Sequence, residues 1–244
     1  MAKTRIPAHT MGSGGGRMER TIGVIRRNEK RSRYYDRIRV LTCAAEYPEF
    51  VSKDYPWILN RINQEYRRGA EAFFRQCSTE LYATAVEGYL DAARNGYPFI
   101  PYEAEMVFTI TYNRACAISL YFDNYQYTGG AHGITTRTSD TWNLNRGTRM
   151  RLSDFFPEGD DYEAYVLMRI DEQIAAKIEA GEDVFFEDPM KLAREYFDEQ
   201  SFYLTTDGIV IYYQLYTIAP YVSGIVEFLI PWEKGTVVPP GCES

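Results

Sequence analysis

Histidine and cysteine are scarce in this sequence, and their spacing excludes several kinds of site. The 244 residues include two histidines, His9 and His132, and contain no HExxH or GxSxG motif. The four cysteines are far apart in the chain, at Cys43, Cys77, Cys116 and Cys242. Without a CxxC pair, neither a zinc ribbon nor a dithiol redox motif is expected. We therefore predict no metal site and no cofactor.

Long apolar runs are also missing. No stretch approaches the roughly 18 apolar residues that a membrane span requires. No secretory signal is visible, because arginines directly follow the apolar patch Ile22–Ile25. We therefore expect no membrane span, a cytoplasmic location and reduced thiols. An exported chain would instead allow the four cysteines to form two disulfides.

The charge of the chain changes sign after its first 40 residues. Residues 1–40 hold eleven Lys/Arg and three Asp/Glu, a net charge of +8, whereas the other residues hold 16 basic and 31 acidic side chains, a net charge of −15. The acidic part favours basic partners and disfavours nucleic acid. We predict that residues 1–33, with the run RRNEKRSR, form a basic flexible arm. Contact of this arm with nucleic acid or anionic lipid is the alternative.

A strand and a long helix are predicted next. RIRVLTCAAEYPEF, residues 37–50, combines β-branched and apolar residues and ends near a proline, which is typical of a strand. Asp54 and Pro56 then begin a helix in which apolar residues recur at helical spacing until Gly96. The pattern fits one long helix or two helices joined near residues 76–78.

From Glu103 onward the apolar period changes to two, which indicates strands. EMVFTITYN (105–113) and ACAISLYFDNYQY (115–127) predict a hairpin, and GITTRTSDTWNLNRG (133–147) predicts a third strand. The segment LSDFF then begins with a capping Ser-Asp pair, which predicts a short turn.

Two further helices and a second group of strands follow. A helix is expected between Asp161 and Gly181, and a short one over residues 188–197. The segment 201–216 contains Asp207-Gly208 between two alternating runs, which predicts a hairpin turn. A last strand is expected over residues 225–232.

This order of elements predicts an α+β fold, because helices and hairpins are grouped rather than strictly alternating. We expect antiparallel sheets, one long N-terminal helix and two further helices, arranged as two intertwined subdomains. The first subdomain would span residues 34–149 and the second residues 150–236. Residues 237–244 are rich in glycine and proline and are predicted to be a loose tail.

The most distinctive short stretch is YTGGAHG, residues 127–133. Its catalytic interpretation takes His132 as a base oriented by Asp123 or Asp140, but no nucleophile elbow or second nearby histidine accompanies it. We therefore predict no catalytic residue. The glycines of this stretch instead allow a sharp corner between two strands, so we predict structural turn roles for them, at Gly129, Gly130 and Gly133.

Tyrosine is abundant, and some of its side chains are candidates for ligand contact. The chain has 21 Tyr against three Trp, and a tyrosine ring suits both strand cores and wet binding surfaces. Loops around YTGGAHG and IAPYVSG could expose such rings. The candidate ligand-binding residues are Tyr125, Tyr127, His132, Tyr216 and Tyr221. Each tyrosine could equally be a buried strand residue.

Three stretches together resemble a bacterial protein family. They are YTGGAHG, then DTWNLNRGTRMRLSDFF (140–156), then FYLTTDGIVIYYQLYTIAPYVSGIVEFLIPW (202–232). The chain resembles the ectodomain family of the anti-sigma-V factor over about residues 37–234, and the accessory region of some peptidoglycan deacetylases is similar. The resemblance implies an α+β fold and lysozyme binding. It also implies a cellular location that is often extracytoplasmic among family members. Without a membrane span or a sigma-binding domain, it does not imply signalling.

We therefore predict a non-enzymatic binding module for a lysozyme-like protein or for cell-wall glycan, such as peptidoglycan. The alternatives are an accessory domain associated with a deacetylase, or an uncharacterised hydrolase of cell-wall glycan. A hydrolase would need paired carboxylates across a cleft, for which Glu103, Glu105 and Asp123 are candidates. A nucleic-acid-linked role of the basic arm ranks last.

Overall fold

The computed structural model describes residues 22–114, 116–182 and 184–241. The first part of the predicted arm, residues 1–21, and the end of the predicted tail, residues 242–244, lie outside the described residues. The predicted α+β fold is confirmed, since two sheets and several helices form the described chain. All helices and strands below are numbered in chain order.

A six-stranded sheet with sequential strand order forms the first half of the protein. Its strands are β1 (Gly23–Tyr35), β2 (Ile38–Val51), β3 (Tyr102–Arg114), β4 (Ala117–Tyr127), β5 (Ile134–Asn143) and β6 (Thr148–Arg149). Neighbouring strands are antiparallel except β2 and β3, which are parallel with Leu41 opposite Tyr102. The expectation of purely antiparallel sheets is wrong for this pair. A long helical crossover separates the two strands, and such a crossover permits parallel pairing.

The predicted arm is wrong from residue 23 onward, because these residues form the edge strand β1. Two of its basic side chains are bonded to acids of β2. Arg26 pairs with Glu46, and Arg27 Nε donates to Glu49 Oε2 at 2.8 Å. Cross-strand pairs of opposite charge stabilise a sheet. Because β1 carries charged residues instead of alternating apolar and polar ones, the sequence does not show the pattern that identifies a strand.

The predicted long helix consists of α1 (Pro56–Gln76), a π-helical turn (Cys77–Leu81) and α2 (Tyr82–Asn95). The predicted junction near residues 76–78 therefore coincides with the π-helical turn. α1 packs on the six-stranded sheet through one apolar stripe, Leu59, Ile62, Tyr66, Ala70 and Phe74. α2 ends where Gly96 adopts a φ of +73°, a conformation that favours glycine.

A disulfide between Cys43 of β2 and Cys77 of the π-helical turn fastens this helix to the sheet. Both cysteines are buried, and no cysteine among the described residues is free. The expectation of reduced thiols is therefore wrong for this pair. Thirty-four residues separate the two cysteines, so sequence spacing gave no sign that they would meet.

The second half of the protein is a three-stranded antiparallel sheet with two helices. Its elements are α3 (Tyr162–Glu179), α4 (Pro189–Glu195), β7 (Phe202–Leu204), β8 (Gly208–Tyr213) and β9 (Val226–Pro231). Asp161 caps α3 by accepting a hydrogen bond from the Ala164 backbone N–H at 3.1 Å. α3 buries Val166, Ile170 and Ile174 in the core of this half.

The predicted loose tail is wrong at its first residues. Val237 is fully buried and forms an isolated bridge with Glu233. The next backbone N–H, that of Val238, donates to the carbonyl of Phe155 at 2.9 Å. The buried side chain of Val237 and the backbone hydrogen bond of Val238 thus anchor the chain after β9 to the second core, because burial of an apolar side chain offsets the local glycine and proline content.

Two large apolar cores lie side by side, and some residues of the first sheet belong to the second core. One is built from α1, α2 and β2–β5, and the other from α3, α4 and β7–β9. However, Tyr112 of β3 and Ala117 of β4 belong to the second core. Ser119 of β4 accepts the backbone N–H of Leu204 of β7 at 2.9 Å. Strands β3 and β4 of the first sheet therefore also pack against the second half of the protein.

A buried arginine joins the two sheets. Arg137 of β5 is 8% exposed, and its guanidinium donates to both carboxylate oxygens of Asp123 at 2.7 and 2.8 Å. It also donates to Glu227 of β9 and lies 3.7 Å from the ring centroid of Tyr121. Gln214 completes the contact, because its side-chain amide bonds both the N–H and the C=O of Arg137 at 2.9 and 2.6 Å. Burial alone would lower the pKa of the guanidinium, but the hydrogen bonds and charge of Asp123 raise the pKa instead.

Replacing Arg137 by Met should lower the free energy of unfolding by about 3 kcal/mol, since it leaves a carboxylate without its buried partner. Urea unfolding followed by circular dichroism measures this loss. Arg151→Met is the control, because the Arg151 side chain is 80% exposed and pairs with Asp154 in the same turn; its effect should stay within about 0.5 kcal/mol. Equal effects of the two substitutions would contradict a structural role of the buried arginine.

Removing the disulfide with the Cys43→Ser, Cys77→Ser double variant should also destabilise the fold. The open loop gains chain entropy in the unfolded state, worth about 4 kcal/mol for a sequence separation of 34. Urea midpoints of the variant and of the oxidised wild type give the difference. Because Cys116 is also disulfide-bonded, a reductant should lower the midpoints of both proteins and remove most of the difference between them. A wild-type midpoint that ignores the reductant would contradict the bond.

Candidate ligand-binding surface

The YTGGAHG stretch forms the corner between β4 and β5. Gly129 and Gly130 have φ values of +92° and +94°, which L side chains rarely adopt. The Tyr127 hydroxyl donates to the Gly130 carbonyl at 3.1 Å and closes the turn. Gly133 lies directly against the ring of Tyr125, where an added Cβ would come within 2.3 Å of that ring. The glycines therefore allow a reversal that bulkier residues would prevent.

The other predicted turn, at Asp207-Gly208, connects β7 and β8. The Thr205 hydroxyl accepts the backbone N–H groups of Asp207 and Gly208, both at 3.2 Å. A Cβ on Gly208 would lie 2.1 Å from the carbonyl oxygen of Ile230 on the neighbouring strand. This turn is packed into the second sheet. It is distant in sequence from the YTGGAHG corner, and these contacts do not involve that corner.

Three of the predicted ligand-binding residues meet at the surface: His132, Tyr216 and Tyr221, which we call the aromatic cluster. The His132 ring stacks on Tyr221 with centroids 3.8 Å apart and planes 17° apart. The Tyr216 hydroxyl lies 3.3 Å from His132 Nε2, and the two tyrosine rings are 5.7 Å apart. Residues 84 positions apart in the chain are thus brought into contact.

The hydrogen bonds of His132 define its protonation pattern. Its Nδ1 lies 3.1 Å from the carbonyl oxygen of Gly133, which can only accept, so Nδ1 carries the proton. Nε2 lies 3.3 Å from the Tyr216 hydroxyl oxygen, so the ring is held at both nitrogens. The ring stacked on Tyr221 therefore presents a flat face in a defined orientation.

The loop after β8 holds the two tyrosines in place. Tyr216 has a φ of +63°, in a region uncommon for tyrosine. Tyr221 begins a 3₁₀ turn through Ser223, whose hydroxyl donates to the Val184 carbonyl at 2.7 Å. Val222 between them is 90% exposed. The loop is therefore bonded at its base while it displays apolar groups to solvent.

Tyr125 and Tyr127, the other two predicted residues, lie outside the aromatic cluster. Tyr125 packs against Gly133 behind the corner. Tyr127 lines a groove that also includes Gly129 and Gly130 of the corner, with a volume of about 400 Å³. We call it the aromatic groove; its ring-bearing lining residues are Tyr97, Phe99, Tyr102 and Tyr127.

Sequence reasoning missed most of the aromatic groove. Its floor comes from NGYPFIPY, residues 95–102, which links α2 to β3. Two prolines in this segment exclude regular structure, and the interleaved aromatic residues are the signal that could have revealed it. Tyr97 and Ile100 are 50% and 58% exposed, so both leave apolar surface open at the groove.

The acids considered for catalysis are engaged in structural contacts. Asp123 is bonded through both oxygens to Arg137. Asp140 accepts hydrogen bonds from the Tyr66 hydroxyl at 3.1 Å and from Arg149. Burial, and then the charge of Asp140, raise the pKa of Tyr66. Within the described residues, no hydrogen bond or ion pair links His132 to either acid.

Glu103 and Glu105 lie on β3 opposite Tyr127 and Tyr125 of β4. Both glutamates are exposed, and they project on the same face of the strand because they are two residues apart. Their placement follows from the alternation of the strand.

Two further properties of the described residues bear on function. Across residues 22–114, 116–182 and 184–241, no group of three or more His, Cys, Asp or Glu side chains is placed to hold a metal ion. None of the helices in these ranges is long and apolar enough to cross a membrane.

The fold and this surface together define a two-sheet α+β protein with exposed aromatic side chains around the β4–β5 corner. Comparison with protein families divides the chain shortly after the β4–β5 corner. Residues 37–135 match the family model described as deacetylase PdaC, and residues 153–233 match the model described as a protein of unknown function, DUF3298. The first match ends just after the corner, and the second covers the loop that carries Tyr216 and Tyr221.

Solved structures of the DUF3298 family share the fold. One, from Bacteroides fragilis NCTC 9343, is 20% identical with a TM-score of 0.68, and the alignment covers 86% of this chain and 90% of that one. Another, from Pseudomonas aeruginosa PAO1, is 17% identical with a TM-score of 0.60, covering 89% of this chain and 95% of that one. No curated relative matches. The resemblance to a deacetylase accessory region agrees with these matches, whereas the likeness to the anti-sigma-V ectodomain stays a prediction.

The corner itself can be tested with two glycine substitutions. Gly130→Ala should lower the free energy of unfolding by about 1–2 kcal/mol, because alanine is strained at positive φ. An added Cβ at this position meets nothing within 4 Å, so the loss would report the backbone alone. Gly69→Ala, in the middle of α1 and equally free of neighbours, should instead stabilise by about 0.5–1 kcal/mol. Chemical unfolding of both variants is the measurement, and stabilisation by Gly130→Ala would contradict the left-handed corner.

Proposed function

We propose that this chain is a non-catalytic binding module for cell-wall glycan, and that the aromatic cluster is its main contact surface. The stack of His132 on Tyr221, with Tyr216 beside it, carries the proposal. Flat aromatic faces with polar edges suit the apolar faces and hydroxyl groups of sugars. The match to a family described as a deacetylase supports an accessory role in cell-wall chemistry.

Hydrogen bonds hold the side chains and the loop of the aromatic cluster, which favours binding. His132 is held by Gly133 and Tyr216, and the loop of Tyr221 is bonded through Ser223. Side chains that are already fixed lose little conformational entropy on association. The exposure of Tyr216, 49%, leaves ring surface available for contact.

The disulfide supports an extracytoplasmic place of action. Cys43 and Cys77 form a buried bond, and such bonds persist mainly in oxidising compartments. A location outside the cytoplasm is also where a cell-wall ligand would be met. We therefore propose export of this protein, in place of the cytoplasmic location that the sequence led us to expect.

A basic protein similar to lysozyme is the second candidate ligand. Residues 22–244, which include the basic strand β1, carry a net charge of −10, from 23 basic and 33 acidic side chains. Such a surface attracts a basic partner and speeds its association at low salt. The resemblance to the anti-sigma-V ectodomain points to the same partner.

Sedimentation with insoluble peptidoglycan tests the glycan proposal. The wild type should co-sediment, and Tyr221→Ala should weaken binding by about tenfold or more, because a central aromatic contact is lost. Tyr196→Ala is the matched control, since Tyr196 is 51% exposed but lies at the end of α4. Its binding should equal that of the wild type, and circular dichroism verifies that both variants fold.

Calorimetric titration with lysozyme at low and high salt tests the second candidate. Heat that is abolished by Tyr221→Ala but kept in Tyr196→Ala would favour the protein ligand. If the wild type binds neither peptidoglycan nor lysozyme, the proposed function is wrong.

A further inference from the structure

The aromatic groove differs from the aromatic cluster in its charge. Among the described residues that line it, Asp91 of α2 is the only one with a charged side chain. The other lining groups are aromatic rings, small residues and short polar groups. A site with one carboxylate and no cation repels anions and attracts neutral or positively charged ligands.

Asp91 is positioned at the groove with its charge available. Its carboxylate accepts hydrogen bonds from the Tyr97 hydroxyl and from Asn95 Nδ2, the latter at 3.0 Å. These use two of about four acceptor positions of a carboxylate. Arg94 lies 3.6 Å from it with a side chain that is 73% exposed, and such exposed pairs are weak. Acceptor capacity and negative charge therefore remain for a ligand.

The rings form a continuous wall next to this carboxylate. Phe99 and Tyr102 have ring centroids 5.9 Å apart, and Tyr127 lines the same groove. Tyr102 can lie over α2 because Gly88 has no side chain; a Cβ there would come within 2.5 Å of the Tyr102 hydroxyl oxygen. The volume of about 400 Å³ is in the range of small-ligand sites.

We infer that the aromatic groove binds an amino sugar with a free ammonium group, in preference to the same sugar in its N-acetylated form. The sugar ring stacks on the tyrosine wall, and the ammonium group bonds Asp91 and lies near aromatic faces, which attract cations. Acetylation removes the positive charge and with it both attractions. This inference rests on the proposed function for its glycan context and adds the chemical class that a second site on the module selects.

Calorimetric titration of the full chain with two oligosaccharides tests the selectivity. The probes are the tetramer of glucosamine and the tetramer of N-acetylglucosamine, at a pH where the free amine is charged. The glucosamine tetramer should bind about tenfold more tightly, as expected for a charge-assisted contact combined with cation–π attraction. Equal affinities, or tighter binding of the acetylated tetramer, would overturn the inference.

Substitutions then locate the selectivity. Asp91→Asn should abolish the preference by weakening only the glucosamine tetramer, and Tyr127→Ala should weaken both tetramers. Glu87→Gln is the matched control, because Glu87 is exposed on α2 and does not line the groove; it changes the net charge equally and should keep the preference. A preference that survives Asp91→Asn, or that is lost in Glu87→Gln, would overturn the inference.

Two more measurements separate the remaining outcomes. If pentalysine binds as tightly as the glucosamine tetramer and with the same dependence on Asp91, the groove takes basic peptides and the inference is wrong. Tyr221→Ala should leave the tetramer preference unchanged. Failure of the proposed function would show as absent co-sedimentation with peptidoglycan, whereas failure of this inference would show in the tetramer titrations.

Discussion

The buried guanidinium of Arg137 holds the two sheets in one relative arrangement. It bonds Asp123 on its own sheet and Glu227 on the other, and Gln214 fixes its backbone from the second sheet. A buried charge requires all of these partners, because an incomplete set would leave it desolvated and unpaired. Small displacements between the two sheets would therefore cost free energy. The loops at the place where the sheets meet keep a fixed relative position as a result.

The aromatic cluster depends on this fixed arrangement of the two sheets. His132 comes from the β4–β5 corner, whereas Tyr216 and Tyr221 come from the loop after β8. Gln214 is two residues before Tyr216 and is bonded to Arg137, five residues after His132. The same contact that joins the sheets thus brings the two loops together. A surface formed in this way exists only in the folded protein.

Local patterns in the sequence predicted the helices and most strands, but not the features that depend on a distant partner. The N-cap of α1 is Tyr55 without a side-chain cap, so the expected capping role of Asp54 is wrong, whereas Pro56 in the first turn is confirmed. This proline and the turn residues Asp207-Gly208 are clear local signals, because they act within a few positions. Strand β1 has no such signal, since its arginines become suited to a strand only when Glu46 and Glu49 lie opposite. The Cys43–Cys77 bond is likewise decided by the packing of helix on sheet.

For the site, the sequence by itself determined that YTGGAHG would be a point of sharp backbone reversal, because two adjacent glycines tolerate φ values that other residues avoid. It also marked the aromatic residues around that point as candidates. Only the tertiary structure decided which of them meet: His132 with Tyr221, and Tyr127 with the rings of the 95–102 segment. The physical reason is that backbone conformation is set by neighbours in sequence, whereas contacts between side chains are set by how the two sheets pack.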